Sequence, residues 1–209
     1  FPITTAEAWN SEHWGLVTPD TDYLHSMNPN GTGSFSLNRR TNSTVGAFST
    51  AEGYDCAASD SYAHAEGATT TASGGASHSE GMNTTASGLY SHAECWHTTA
   101  SGKSAHAEGY YAIASGEASH AEGYNTQASG KYGHVEGYGT YANHRSQHVF
   151  GEFNIRDQAS GAATDRGNYI EMVGNGTVSS YSNARTLDWS GNEVLSGTLT
   201  ASGLILTSS

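Results

Sequence analysis

A five-residue phrase, Ser-His-Ala-Glu-Gly, returns every fourteen residues through the middle of this 209-residue chain. Intact or lightly varied copies place histidine at His64, His78, His92, His106, His120, His134 and His148. A second phrase, Ala-Ser-Gly, runs half a period out of phase, as at 86–88 and 100–102. A short fixed period without insertion or slip is typical of a solenoid, in which each repeat is one structural unit stacked on the last.

The length of the repeat restricts the fold class. Fourteen residues are too few for a strand, a crossover helix and a second strand, a unit of about thirty residues or more. They suffice for two short strands and two tight turns, and Gly and Ser punctuate the turns while Thr, Tyr, Val and Ala fill the strands. The repeat therefore predicts an all-β protein, a parallel β-solenoid with 14 residues per coil and neighbouring coils about 4.8 Å apart.

Alternation along the strand predicts which side chains point out of the coil. In Ser91-His92-Ala93-Glu94, His and Glu share one face, and Ser and Ala share the other. A coil this narrow accepts only small side chains inside, so Ala93 and its equivalents are expected inside and His92 and Glu94 outside. Stacked coils would then place glutamates above one another, which is destabilising. The histidine two residues away is the expected counter-group.

We call this predicted outer column the His–Glu ladder. It comprises His64, Glu66, His78, Glu80, His92, Glu94, His106, Glu108, His120, Glu122, His134 and Glu136. A coil filled with small residues buries little apolar area, so three rods packed with their ladders around a common axis are expected, as a homotrimer. Neighbouring carboxylates are expected to raise the histidine pKa values, making the shaft most stable at mildly acidic pH.

The repeat resembles the head repeats of trimeric autotransporter adhesins, in which the equivalent phrase is usually Ser-Val-Ala-Ile-Gly. The His-Ala-Glu-Gly variant, followed by Ser146-Gln147-His148-Val149-Phe150-Gly151 and Thr186-Leu187-Asp188-Trp189-Ser190-Gly191-Asn192, is more similar to tail-fibre and appendage proteins of phages that infect Gram-positive bacteria. The resemblance covers roughly residues 30–203. It implies a left-handed β-roll that trimerises, a virion location in a tail fibre or spike, and attachment to a host surface.

Three segments are predicted from the extent of the repeat. Residues 1–33 carry no repeat and are interpreted as an N-terminal attachment or neck segment that contacts other tail proteins. Residues 34–148 form the β-roll shaft, and residues 149–209 a β-rich trimeric cap. The numbering begins without Met or a recognisable signal peptide, so we expect an upstream part that this chain does not include. The two cysteines, Cys56 and Cys95, lie almost three coils apart, too far for a disulfide.

Composition and charge bear on the partners. The formal net charge is −12 and only eight residues are Lys or Arg, whereas nucleic acid and anionic membranes attract clustered basic residues. No stretch is apolar enough to span a bilayer. We expect neither nucleic acid nor a membrane as a partner.

Aromatic residues near the turns are the candidate ligand-binding residues. They are Tyr54, Trp96, Tyr110, Tyr111, Tyr124 and Tyr138. Such a row could stack on the sugar rings of a bacterial cell-surface glycan. The alternative is that the rings stack on each other and shield the turns.

The sequence does not favour catalysis or a cofactor. Ser and His recur in every repeat, whereas a catalytic triad needs one unique constellation with an orienting acid. A His–Glu column offers metal-binding groups, but we expect a structural network without metal or other cofactor. The predicted function is that of a phage fibre or spike protein binding a host surface. A bacterial trimeric surface adhesin and a structural spacer without ligand remain alternatives.

Overall fold

The computed structural model of the chain describes residues 33–40, 43–198 and 200. For residues 37–39 it describes the backbone only. Within these residues the secondary structure is entirely β, as predicted, and no helix occurs. In chain order the strands are β1 (Phe35–Arg39), β2 (Thr50–Ala58), β3 (His64–Ala68), β4 (Thr71–Ala72), β5 (His78–Met82), β6 (Thr85–Ala86), β7 (His92–Ala93), β8 (Thr99–Ala100), β9 (His106–Tyr110), β10 (Ile113–Ala114), β11 (His120–Tyr124), β12 (Gln127–Ala128), β13 (His134–Val135), β14 (Tyr141–Ala142), β15 (His148–Glu152), β16 (Tyr169–Asn175), β17 (Asn183–Asp188) and β18 (Glu193–Leu195).

The strands form a parallel β-solenoid of about eight turns, which confirms the predicted fold class. Each coil contributes one strand to a sheet of His-Ala-Glu strands, here called sheet A, and a two-residue strand to a second sheet, sheet B. Pairing is parallel and in register at fourteen residues, as in His106 with His120 and Glu108 with Glu122. The long β2 begins in sheet A and ends in sheet B. The repeat period is therefore the structural period.

The interior of the coil consists of small side chains, as the alternation predicts. Ala93, Ala86 and their equivalents form two buried alanine columns. Threonines line a third buried column, and Thr98 donates a hydrogen bond to the Glu94 carbonyl at 2.9 Å. Larger side chains enter only near the C-terminal end of the solenoid, at Val135, Val149 and Met172.

Close stacking of the coils accounts for the repeated glycine after each ladder glutamate. Gly109 has a φ of 105°, a backbone conformation that side chains rarely adopt. A Cβ atom on Gly109 would lie 2.3 Å from the carbonyl oxygen of Gly123 in the next coil. Cys95 occupies the same slot one coil earlier with a φ of 77°. It is exposed, Cys56 is buried, and both thiols are free, as predicted.

Sheet B ends because side-chain amides replace the backbone of a further coil. Within the repeat, the backbone amide of Gln127 donates a hydrogen bond to the backbone carbonyl of Thr140 in the following coil. At the last coil, Tyr141 instead pairs with the fully buried Asn154 side chain, whose Oδ1 accepts from the Tyr141 amide at 2.8 Å. Nδ2 of Asn154 donates to the Tyr141 carbonyl at 3.1 Å. One asparagine side chain thus satisfies both backbone groups at the end of the sheet.

A second amide closes the adjacent turn in the same way. The buried Gln147 accepts hydrogen bonds from the amides of Asn143 and His144 through Oε1. Its Nε2 donates to the carboxylate of the buried Asp157 at 2.7 Å. Asp157 also accepts from the Tyr169 amide. These buried polar groups connect the last coil of sheet B to the chain that follows it.

Sheet A continues beyond the end of the repeat. β15 pairs in parallel with β16, while β16–β17 and β17–β18 pair antiparallel. The sheet therefore crosses the predicted boundary between 148 and 149 without a break. Leu187, in β17, and Trp189, which follows it, are half-buried in the single chain.

Some predictions lie partly or wholly outside the described residues. They concern the attachment segment, of which only residue 33 is described, and the part of the predicted cap beyond residue 200. In the ranges that the structure covers, no helix has the length and hydropathy that crossing a bilayer requires.

Candidate functional site

The His–Glu ladder is the most regular surface of the molecule. Its histidines and glutamates point out of sheet A, and their side chains are roughly one quarter to two fifths exposed. The imidazole rings stack nearly parallel with centroids 4.7–4.9 Å apart from His64 to His148. The structure thus brings the predicted ladder residues together along one face, with Glu52 and His148 extending the column at its two ends.

The pairing within the ladder is diagonal. Each histidine was expected to pair with the glutamate two residues later, but its Nε2 instead approaches Oε1 of the glutamate twelve residues earlier, in the preceding coil. His106 and Glu94 are the closest pair, at 3.0 Å. The expected counter-group was therefore wrong, because the nearest carboxylate lies one coil away rather than further along the same strand.

The seven pairs differ in length. The Nε2–Oε1 distances are 3.6 Å for His64–Glu52, 3.4 Å for His78–Glu66, 3.3 Å for His92–Glu80, 3.0 Å for His106–Glu94, 3.3 Å for His120–Glu108, 4.0 Å for His134–Glu122 and 3.6 Å for His148–Glu136. Only the three pairs at 3.0–3.3 Å are hydrogen bonds. In the other four, Nε2 is shielded from solvent and finds no hydrogen-bond partner among the described residues.

Glu94 and His134 both have lowered pKa values, for different physical reasons. Burial alone would raise the pKa of Glu94, but the hydrogen bond from His106 and the charges of His92 and His106 outweigh it and lower that pKa. The pKa of His134 is lowered, first by burial and then by the neighbouring charges of His120 and His148; nearby glutamates offset this only in part. The expectation that carboxylates raise the histidine pKa is therefore wrong at His134, because desolvation and the charges of the neighbouring imidazoles outweigh the effect of the glutamates.

The ladder also brings potential metal ligands close together. In each of four groups, three ligand atoms lie within 4.8 Å of one another. The groups are His64/Glu66/His78, His78/Glu80/His92, His92/Glu94/His106 and Glu108/His120/Glu122. Three of the four groups thus combine one glutamate with two histidines whose imidazoles stack on each other.

Most of the predicted aromatic residues form a second column, one turn away from the ladder. Trp96 stacks on Tyr110 at 4.1 Å, and Tyr110 on Tyr124 at 4.8 Å. Tyr138 meets Tyr124 edge to face and contacts Phe153 at 4.5 Å. Since the rings from Trp96 to Tyr124 use their faces on each other, they present mainly edges and hydroxyl groups to solvent.

The two remaining candidates occupy different positions. Tyr111 packs edge-on against Trp96 and Tyr110 and stacks on His97 at 5.0 Å, so it belongs to the same surface. Tyr54 stands apart, because Ala68 and Met82 occupy its slot in the next two coils. Tyr54 is 74% exposed, and it stacks on no other ring among the residues whose side chains the structure describes.

An open cleft near the end of the solenoid was not predicted. It is lined by Ile155, Arg156, Gln158 and Tyr181. The Arg156 guanidinium lies 3.7 Å from the ring centroid of Tyr141, and Tyr181 packs edge-on against Phe153. The cleft continues the aromatic surface beyond the repeat. No periodic signal marks it, so the sequence pattern could not have revealed it.

The chain matches no protein-family model, and no curated protein matches it. Fold and site geometry are therefore the basis for a functional assignment.

Proposed function

We propose that this chain is a trimeric fibre or spike protein of a phage or phage-like particle that attaches the particle to a bacterial surface. The observation that carries the proposal is the uninterrupted solenoid, a stiff rod with one outward column of His–Glu pairs and one of aromatic rings. Such a rod separates two ends and displays repeated surface features. It offers many equivalent Ser–His pairs rather than one catalytic constellation, so we propose no enzymatic activity.

The energetics of the rod support the proposed trimer. The interior consists largely of Ala, Ser and Thr, which bury little apolar area per residue. The ladder face leaves four histidine Nε2 atoms without a hydrogen-bond partner among the described residues, an arrangement that costs free energy. Packing three ladders around one axis would supply additional partners and cover this face.

A bacterial glycan is the proposed ligand, and the aromatic surface the proposed binding region. Exposed tyrosine hydroxyl groups and ring edges can hydrogen-bond and contact sugars, and Tyr54 offers an open ring face. Other tail proteins would bind the N-terminal segment, and the fibre would act outside the cell as part of a virion.

A structural spacer without ligand is the second candidate. The mutual stacking of Trp96, Tyr110 and Tyr124 favours it, because it gives these rings a role in stabilising the rod. A bacterial adhesin would share the solenoid and the trimer, and the neighbouring genes would distinguish it from a phage protein.

Binding of the labelled, purified protein to bacterial cells and to immobilised cell-wall glycans tests the proposal. We expect saturable binding that falls about tenfold or more in the Tyr110→Ala/Tyr124→Ala variant, since each tyrosine hydroxyl group would contribute a hydrogen bond to the sugar worth on the order of 1 kcal/mol. The matched control is Tyr90→Ala/Tyr132→Ala, which removes two exposed tyrosines at the other turn and should leave binding unchanged. Absence of binding to every envelope preparation would contradict the proposal and favour the spacer.

A further inference from the structure

We propose that the His–Glu ladder is a divalent transition-metal site, a linear array in which each ion is chelated by a glutamate and the histidine of the following coil. Imidazole nitrogen and carboxylate oxygen are both ligands of Zn²⁺ and related ions. The ligands of each pair come from one chain, so the array does not depend on the proposed trimer or on the proposed glycan binding.

The pair distances fit chelation. Zinc lies about 2.0–2.1 Å from a histidine nitrogen and about 2.0–2.2 Å from a carboxylate oxygen. Two such ligands at right-angled to tetrahedral geometry are about 2.9–3.4 Å apart. Four pairs have this separation already, from 3.0 Å at Glu94–His106 to 3.4 Å at Glu66–His78. An ion could therefore enter these pairs with little movement of the backbone.

The middle of the ladder offers the best site. Glu94 lies between His92 and His106, and the ligand atoms of all three lie within 4.8 Å of one another. Glu94 and His106 would chelate the ion, and His92 would complete a three-ligand set after a small side-chain rotation. Water would fill the remaining positions.

The Nε2 atoms of four ladder histidines also favour a bound ion. The Nε2 atoms of His64, His78, His134 and His148 are shielded from solvent and have no hydrogen-bond partner among the described residues. Each faces a glutamate Oε1 at 3.4–4.0 Å. A metal ion bound between Nε2 and Oε1 would give both atoms a partner. A neutral imidazole with its proton on Nδ1 gives neither atom a partner.

The spacing of the coils limits the occupancy. Adjacent levels are separated by 4.7–4.9 Å, the distance between stacked imidazoles. Two divalent ions this close repel each other strongly in a partly buried site, so we expect alternate levels to fill. Seven pairs would then hold about three or four ions per chain, with weakening affinity as the array fills.

Equilibrium dialysis of the purified protein against Zn²⁺ at pH 7.5 tests the proposal, with Co²⁺ absorption as a second readout of histidine and carboxylate coordination. We expect about three ions per chain at micromolar free zinc, in keeping with sites of two or three protein ligands. The variant Glu94→Gln/His106→Gln removes the best site, so it should bind its first Zn²⁺ ion at least about tenfold more weakly and show a weaker Co²⁺ spectrum at one equivalent of metal.

The control is Glu117→Gln/His97→Gln, which removes one carboxylate and one imidazole that are not paired with each other. Glu117 instead pairs with Lys131, and His97 contacts Asn83. This variant should retain the full stoichiometry, and thermal melts of both variants verify folding. Lack of saturable zinc binding below about 1 mM would overturn the proposal, as would equal loss in the control.

Discussion

At the scale of single residues, backbone conformation restricts the repeat more than side-chain chemistry does. The slot after each ladder glutamate combines a positive φ with a close carbonyl from the next coil, as at Gly109 and Gly123. A side chain there meets both backbone strain and a steric clash. Glycine is therefore the residue that fits this slot without strain when coils stack at the spacing of β-strands.

Replacing one of these glycines should destabilise the rod. We expect Gly109→Ala to lower the free energy of unfolding by about 2–4 kcal/mol, because the added Cβ would lie 2.3 Å from the Gly123 oxygen in a strained conformation. The control Gly75→Ala adds a Cβ whose nearest neighbour is the flexible Leu89 side chain at 3.0 Å. Thermal melts at one protein concentration compare the two variants. Equal melting temperatures for Gly109→Ala and Gly75→Ala would contradict the explanation by steric clash and backbone strain.

The converse change should stabilise the coil at Cys95. This residue occupies the glycine slot with a φ of 77°, which costs a non-glycine residue about 1–2 kcal/mol. Glycine avoids that strain but gives the unfolded chain more conformational freedom, so Cys95→Gly should gain up to about 1 kcal/mol. Cys95→Ser retains the Cβ and should gain nothing. A stabilised serine variant would show that the thiol, not the backbone, is the source of the effect.

Titration of His134 should make the rod sensitive to acid. Its folded pKa lies below its ordinary value of 6.5, so the unfolded chain takes up this proton first. Stability therefore falls as pH drops through about 6.5 towards the folded pKa. Glu94, whose pKa is lowered from 4.5, adds a second loss at lower pH, as pH falls through its own folded pKa. The titration of His134 therefore favours stability at neutral pH, the reverse of the mildly acidic stability optimum predicted from the sequence.

Melting temperatures between pH 4 and pH 8, measured with a chelator present, test this titration. The variant His134→Gln should lose less stability than the wild type between pH 7.5 and pH 5.5. His97→Gln, a histidine outside the ladder, should behave like the wild type. An equal or larger loss in His134→Gln would show that desolvation of His134 does not set the response.

The outward positions of the ladder could be predicted from the sequence, but its pairing could not. Alternation in Ser91-His92-Ala93-Glu94 determines which side chains leave the coil, since it depends only on the period of a strand. The diagonal contact between His106 and Glu94 depends on side-chain reach across the gap between coils. The sign of the His134 shift depends on burial and on its two histidine neighbours, which a linear pattern does not measure.

At the scale of elements, the two sheets end differently. Sheet A passes into β16, β17 and β18, whereas sheet B ends at β14 on the side chains of Asn154 and Gln147. These amides imitate a further strand, which protects the edge from pairing with another chain. The period predicted each strand of the repeat, but not this ending, because one asparagine and one glutamine outside the pattern carry no periodic signal.

Removing the amide cap should destabilise the C-terminal end of the solenoid. Asn154→Ala leaves the partly buried backbone amide and carbonyl of Tyr141 without the partners that Asn154 supplies, and we expect a loss of about 2–4 kcal/mol in the free energy of unfolding. Gln158→Ala, which removes an exposed side chain bonded only to the Arg156 carbonyl, is the control. Hydrogen exchange at the Tyr141 amide should accelerate selectively in the first variant. Unchanged exchange there would contradict the capping role.

At the scale of the whole molecule, small interior residues and a partly exposed His–Glu ladder favour the proposed packing against other copies. The solenoid itself is predictable because one fourteen-residue pattern is repeated in register. The assembly depends on surfaces of other copies, and the resemblance to trimeric fibre heads is what suggests three. The proposed axis and the proposed trimeric fibre both depend on that number.

The mass of the folded protein in solution is the most direct test. Multi-angle light scattering at micromolar concentration should give three times the 21.8 kDa chain mass, with circular dichroism showing β-structure in the same sample. Trimers should persist on dilution, as expected of an obligate assembly. A stable, folded monomer of 21.8 kDa would contradict the trimeric fibre.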